Sequence, residues 1–417
     1  MAGRWKDLWP PGLQHDPWGV KRVSTSFYEF FCPVKVIAGY KALEHIPFEL
    51  ATLQSSRPMI ITDRGVVEVG LLRHVEEALA ASGLQAAAIF KEVPADSSMQ
   101  AVQQAAALYR EQSCDAILAV GGGSVIDTSK GVNILVSEGG DDLYVYAGAH
   151  NLKRPLRPFF VIPTTAGTGS EVTMVAVVSD TEKHAKVPFT SYFLMPNAAV
   201  LDPRMTQTLP PHLTAMTAMD AMTHAVESFT CIASNPISEV YAFSAVRKIA
   251  THLLAVMDHP ADAAGRLELA QASTMAGIAF SNAMVGLVHS LGHALGATCH
   301  LPHGLCMNLF LPYVLEYNME KIAPRLAELL LPLAGAEVYA ATPVSARAAR
   351  SVSTLRILRD ELYARCKLPR TLQETGRVKR EQLPQLAELA LNDGSIMFNP
   401  REANLEDLLS ILNAAWS

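Results

Sequence analysis

Apolar residues in the first half of the chain follow two rhythms. Short unbroken runs read as strands buried on both faces: PMIIT at Pro58–Thr62, AAIF at residues 87–90, AILAV at residues 116–120 and FFVI at residues 159–162. Between them, residues 68–82 and 99–112 repeat apolar positions every three or four residues, which gathers them on one helix face. Strand–helix alternation predicts a parallel sheet with helices on both sides. The rhythm changes near Asp202. Beyond Thr208 the pattern is helical and rich in Leu and Ala, and Asp202-Pro203 and Leu209-Pro210-Pro211 mark the join. The expected organisation is an α/β domain over residues 1–203 and an all-α domain over residues 204–417. Residues 1–25, with Trp5, Trp9 and Trp18, read as an arm packed on a surface.

Composition narrows the class. A chain of 417 residues exceeds one ordinary core. Half of it is hydrophobic and 18% is charged, as suits a compact enzyme. A net charge of −6, spread along the chain, gives no reason to expect nucleic acid or an anionic membrane as partner. The six cysteines form no CxxC pair, so reduced thiols and a cytoplasmic setting are expected. Arg4, Lys6 and Asp7, with no apolar run after them, do not resemble a secretory leader. Residues 269–315 contain no Asp, Glu, Lys or Arg, yet they hold four histidines, several glycines, Pro302 and Pro312. Buried helices around a polar site fit that stretch better than a membrane span.

Three strand ends carry a nucleotide signal. The run at 116–120 enters Gly121-Gly122-Gly123-Ser124, with a helix expected near Val125-Ile126-Asp127. Glycines let backbone approach a phosphate, and a helix N-terminus offers free N–H groups; a plain tight turn explains the same tetrapeptide. The run at 159–162 enters a loop holding Thr164, Thr165, Gly167, Thr168, Gly169 and Ser170, which can supply donors to a dinucleotide. Asp63 follows Pro58–Thr62, where a carboxylate can accept from ribose hydroxyls and repel a 2′-phosphate, favouring NAD; the alternative is a helix N-cap.

A metal signal lies downstream. Asp220 and His224 stand four apart in a helical stretch over residues 211–231, and His289 and His293 repeat the interval. Gly296 and Pro302 are expected to end the second helix, and His303 to begin the next and point back. A carboxylate and imidazoles in an apolar setting suit a divalent cation with an open position, although an Asp-x-x-x-His pair alone is often only hydrogen-bonded. His300 reads equally as a surface residue or a supporting one.

GGGSVIDTSKG, PTTAGTGSEVT, DAMTHAVES and GLVHSLGHALGATCHLPHG resemble, in order and spacing, the iron-containing alcohol dehydrogenase family. The resemblance runs from about residue 28 to the C-terminus. It implies ferrous iron, or zinc, held by Asp220, His224, His289 and His303. It implies a catalytic, non-ligating His293, and nucleotide contacts from Asp63, Gly122, Gly123, Ser124, Asp127, Thr164, Thr165, Thr168, Ser170 and Lys186. Phe280 is similar to a pocket aromatic. The implied activity is reversible, NAD-dependent oxidation of a small alcohol or reduction of an aldehyde, in a homodimer or larger homo-oligomer. The charge-free stretch favours an uncharged substrate. Two further readings compete: a metal-dependent lyase or synthase that uses NAD transiently, like dehydroquinate synthase, and a binding protein without turnover.

Overall fold

The computed structural model describes residues 27–180 and 185–417, so the expected N-terminal arm lies outside the described residues. The described residues form nine strands and thirteen α-helices. The strands are β1 (Lys35–Ala38), β2 (Pro58–Thr62), β3 (Ala88–Phe90), β4 (Ala116–Gly121), β5 (Gly148–Ala149), β6 (Phe159–Pro163), β7 (Val175–Asp180), β8 (Ala185–Thr190) and β9 (Ala198–Leu201). Six of them form one parallel sheet in the order β1-β9-β6-β4-β2-β3. Alternate residues of each strand serve opposite faces. Met59, Ile61, Ile117, Ala119 and Val161 enter one apolar core, and Ile60, Leu118, Val120, Phe160 and Ile162 enter the other. Burial on both faces explains why β2, β4 and β6 are legible as continuous apolar runs. A small second sheet, β5-β8-β7, flanks the first.

The first five helices are α1 (Ile46–Thr52), α2 (Arg64–Glu68), α3 (Leu71–Ala80), α4 (Met99–Glu111) and α5 (Gly123–Glu138). The helix expected over residues 68–82 is α3, which starts later, at Leu71, because Gly70 adopts φ 80°, a left-handed conformation that separates it from α2. Strands β1, β5, β7, β8 and β9 have no counterpart among the expected runs. β1 is mostly exposed, and β8 carries Pro188, so neither shows a buried apolar run.

Beyond β9 the described chain is helical: α6 (Pro211–Thr230), α7 (Pro236–Asp258), α8 (Ala263–Ala283), α9 (Leu287–Cys299), α10 (His303–Ala341), α11 (Arg347–Cys366), α12 (Leu383–Leu391) and α13 (Leu405–Ala414). Among the described residues, α7 is the one single helix long and apolar enough to cross a bilayer; α8 and α9 taken together also pass, but that pair is bent by 106°. In this fold α7 packs against α6 and α8. Most of the charge-free segment is buried in the helical core. α9 runs through Gly296 to Cys299, correcting the expected stop at Gly296; it ends where His300 turns left-handed at φ 52°. His300 is therefore a helix-terminating residue whose carbonyl accepts from Arg377 Nη1 at 3.1 Å.

The two halves meet at α6 and α8. Gly169, at φ 62° in the loop after β6, faces Gly277 of α8 so closely that a Cβ on Gly277 would lie 2.7 Å from Gly169 O and 2.8 Å from Gly169 Cα. Both obstacles are backbone, so neither can swing away.

Candidate metal centre and nucleotide cleft

One stripe of α6 organises both sites. Leu213, Thr217, Asp220, His224 and Glu227 follow one another at intervals of three or four, so they share a face. Leu213 lines a cleft at the carboxyl edge of the sheet, and Gly167 abuts Thr217. At 1.5 Å per residue, Leu213 and Asp220 are about 10 Å apart along the helix. The spacing suits a small substrate held between a nucleotide in the cleft and a cation beside Asp220.

Asp220 and His224 lie on α6, His289 on α9, and His303 at the first position of α10. Each offers one donor atom, and the four donor atoms lie within 4.8 Å of one another. Asp220 Oδ1 is 3.3 Å from His303 Nε2 and 3.8 Å from His224 Nδ1. The imidazoles crowd one another, with His224 and His289 ring centroids 4.7 Å apart. His224 Nδ1 and His289 Nε2 are buried and find no hydrogen-bond partner among the described residues. Burying a polar nitrogen without a partner costs about 1–3 kcal/mol. A cation bound by all four groups removes that cost, so the donor set fits one. Protonation states agree. Burial holds His224 down to about 3 and keeps His289 well below its ordinary value, so both are neutral. Burial alone would raise the Asp220 carboxyl, but the surrounding imidazoles hold it well below the usual range. Neutral imidazoles and an ionised carboxylate are the ligating forms.

Phe280 of α8 stacks on His224, with centroids 4.2 Å apart and planes 17° apart. It fixes the ring and supplies apolar wall. His293 sits one turn beyond His289. Its ring lies 5.8 Å from His289 and 5.4 Å from His303, and it is partly exposed.

Sequence reading missed two supporting carboxylates. Glu227 Oε2 contacts His289 Nδ1 at 2.5 Å, while Oε1 accepts from Val288 N–H at 2.7 Å. The carboxylate therefore holds His289 with Nδ1 protonated and Nε2 free for a cation. Its interval of three from His224 was the available signal. Asp393 does the same for His293: Oδ2 meets His293 Nδ1 at 2.9 Å, and Oδ1 accepts from Ser395 N–H at 2.8 Å. Burial pushes the Asp393 carboxyl up, but the bond from His293 outweighs it and brings the value to about 2. Nothing local in the sequence joins positions 293 and 393.

The second site is a cleft of about 650 Å³ over the ends of β2, β3, β4 and β6. It opens where chain order reverses, since β3 and β4 lie on opposite sides of β2, a usual place for ligands in such sheets. Asp63, Gly122, Ser124 and Thr165 line it. α5 starts at Gly123 and is capped by Gly122, which leaves its first N–H groups available. A Cβ on Gly122 would lie 3.3 Å from Thr165 Oγ1, and one on Gly123 2.9 Å from Thr168 Cγ2, so the two loops interlock. Asp63 Oδ1 accepts from Val66 N–H at 2.9 Å. Asp63 thus caps α2 and borders the cleft, which places both of its sequence readings on one residue.

Several of the expected nucleotide residues are engaged in contacts within the protein. Thr164 is buried, and its N–H donates to Gly121 O. Ser124 Oγ donates to the Ala95 carbonyl. Asp127 and Ser170 form a bracket beneath the loops: Ser170 Oγ donates to Asp127 Oδ1 at 2.9 Å, and Val177 N–H to Oδ2 at 3.0 Å. Fully buried Lys130 reaches the same knot through Ser170 Oγ, Thr173 O and Val175 O. Asp127 and Ser170 are therefore spent on holding the loops together. Lys186 is exposed, with Nζ 3.6 Å from Asp96 Oδ1.

Two family models match the chain: "Iron-containing alcohol dehydrogenase" over residues 33–203, and "Fe-containing alcohol dehydrogenase family, C-terminal" over residues 214–416. Alcohol dehydrogenase 4 of Saccharomyces cerevisiae is 33% identical over 93% of this chain and 98% of its own length. NAD-dependent methanol dehydrogenase of Bacillus methanolicus is 31% identical over 93% and 99%. The solved structure of an alcohol dehydrogenase from Oenococcus oeni superposes with a TM-score of 0.88 at 31% identity, covering 94% of this chain and all of that one.

Proposed function

The chain belongs to the iron-containing alcohol dehydrogenase family, and we propose that it catalyses NAD-dependent interconversion of a small uncharged alcohol and its aldehyde at the Asp220–His224–His289–His303 centre. The convergence of those four donor atoms, three of them (Asp220 Oδ1, His224 Nδ1 and His289 Nε2) without a hydrogen-bond partner among the described residues, carries the proposal. A divalent cation supplies Lewis acidity toward an alcohol or carbonyl oxygen, and the nicotinamide nucleotide supplies the hydride partner. Iron is favoured by the family, although nitrogen and oxygen donors also accept zinc.

The chain's own residues do the rest. Asp220 and three neutral imidazoles leave a divalent cation with net charge near +1. Glu227 fixes the His289 tautomer. Phe280 and the charge-free α8–α9–α10 lining exclude water and offer no cation to a substrate carboxylate. In this reading His293 passes a proton between the substrate hydroxyl and solvent; its ring borders the centre, is partly exposed and is oriented by Asp393, which supports the role. The family's named dehydrogenases argue against the lyase alternative.

The test is metal analysis of anaerobically purified protein, joined to an NADH-absorbance screen of alcohols and aldehydes. His289→Ala and His303→Ala should lose both metal and turnover. Full metal stoichiometry in either variant would overturn the ligand assignment, and a marked preference for an anionic aldehyde would overturn the substrate class.

A further inference from the structure

The loop between β3 and α4 closes one wall of the nucleotide cleft. Glu92, Val93, Pro94 and Ala95 line it opposite Asp63 and Gly122. Its acidic residues face cations. Arg64 follows Asp63 directly, and both its Nη2 and its Nε bind Glu92 Oε2, at 2.6 and 2.7 Å. Asp96, on the same loop, stands 3.6 Å from Lys186 Nζ. The charged lining of the cleft is Asp63, Arg64 and Glu92, a sum of −1. Arg64 is the one guanidinium in that lining, and guanidinium is the side chain best matched to a phosphate.

We infer that Glu92 is a specificity-determining residue, acting with Asp63 to exclude a 2′-phosphorylated nucleotide by holding Arg64 in an ion pair. The inference rests on the reading of this cleft as the dinucleotide site. Asp63 repels a 2′-phosphate, but Arg64 follows it directly, and an arginine near the ribose is the usual means of accepting that phosphate. Glu92 cancels that means. The Arg64 and Glu92 side chains are 73% and 43% exposed, so the pair is accessible to a ligand and weak in its own right. Removing the Glu92 charge turns the lining from −1 to 0 and frees the Nε–Nη2 edge of the guanidinium.

The experiment measures calorimetric affinities of the full-length protein for adenosine 5′-monophosphate and adenosine 2′,5′-bisphosphate, which need neither metal nor turnover. Glu92→Gln should tighten the bisphosphate about five- to tenfold and leave the monophosphate within twofold. Adding Arg64→Ala should abolish the gain. An unchanged bisphosphate affinity in Glu92→Gln, or a gain that survives loss of Arg64, overturns the role of Glu92. If the unsubstituted protein binds neither the monophosphate nor NAD, the cleft assignment itself fails and the inference falls with it.

Discussion

Glu227→Gln isolates what one buried carboxylate contributes to a cation it does not touch. Glu227 Oε1 takes the Val288 N–H and Oε2 takes His289 Nδ1. Glutamine keeps the shape and can keep the first bond through its carbonyl. Its NH2 then faces Nδ1 and favours the tautomer with the proton on Nε2, the nitrogen that otherwise points at the cation. Binding must turn the tautomer over and leave Nδ1–H facing an amide donor. Loss of such a supporting partner typically weakens metal affinity 10–100-fold. At about 1.4 kcal/mol per tenfold, that is about 1.4–2.8 kcal/mol. Competition against a chromophoric chelator, with zinc as a redox-inert probe, measures it directly, and NADH binding reports whether the fold survives. A zinc affinity within threefold of the unsubstituted protein would refute the tautomer argument. Restored affinity in Glu227→Asp is not expected, because the shorter side chain cannot reach both partners.

Two further outcomes follow from contacts that tertiary structure creates. Asp393→Asn keeps the cap on Ser395 N–H but disturbs the His293 tautomer. Turnover should fall about 100-fold while metal content and NADH affinity hold; an unchanged kcat would remove His293 from proton transfer. Gly277→Ala drives a methyl group against the Gly169 backbone, at a cost of about 1–3 kcal/mol. The melting temperature should drop by several degrees and NADH binding should weaken, and a wild-type melting temperature would show that α8 and the loop can part freely.

Much of this protein is legible along the chain because helix geometry is local. Intervals of three and four put Asp220, His224 and Glu227 on one face of α6 whatever surrounds them, and the same interval joins His289 to His293. Strands β2, β4 and β6, buried on both faces, announce themselves as apolar runs. The exposed edge strand β1 carries no such run. The glycine-rich loops show where phosphate can approach, but not that Gly122 meets Thr165 or Gly123 meets Thr168.

What the sequence leaves open is pairing across distance. Asp127 and Ser170 belong to the motifs that mark the nucleotide loops, yet packing turns them toward each other and toward buried Lys130. His293 finds Asp393, His289 finds Glu227 and Arg64 finds Glu92 only once the sheet, α6 and the last helices are in place. Spacing along a helix is fixed by the backbone's own period, so composition and interval alone reveal it. The partner of a side chain 60 or 100 residues away depends on how whole elements dock, and that is decided by burial of their apolar faces rather than by any local signal.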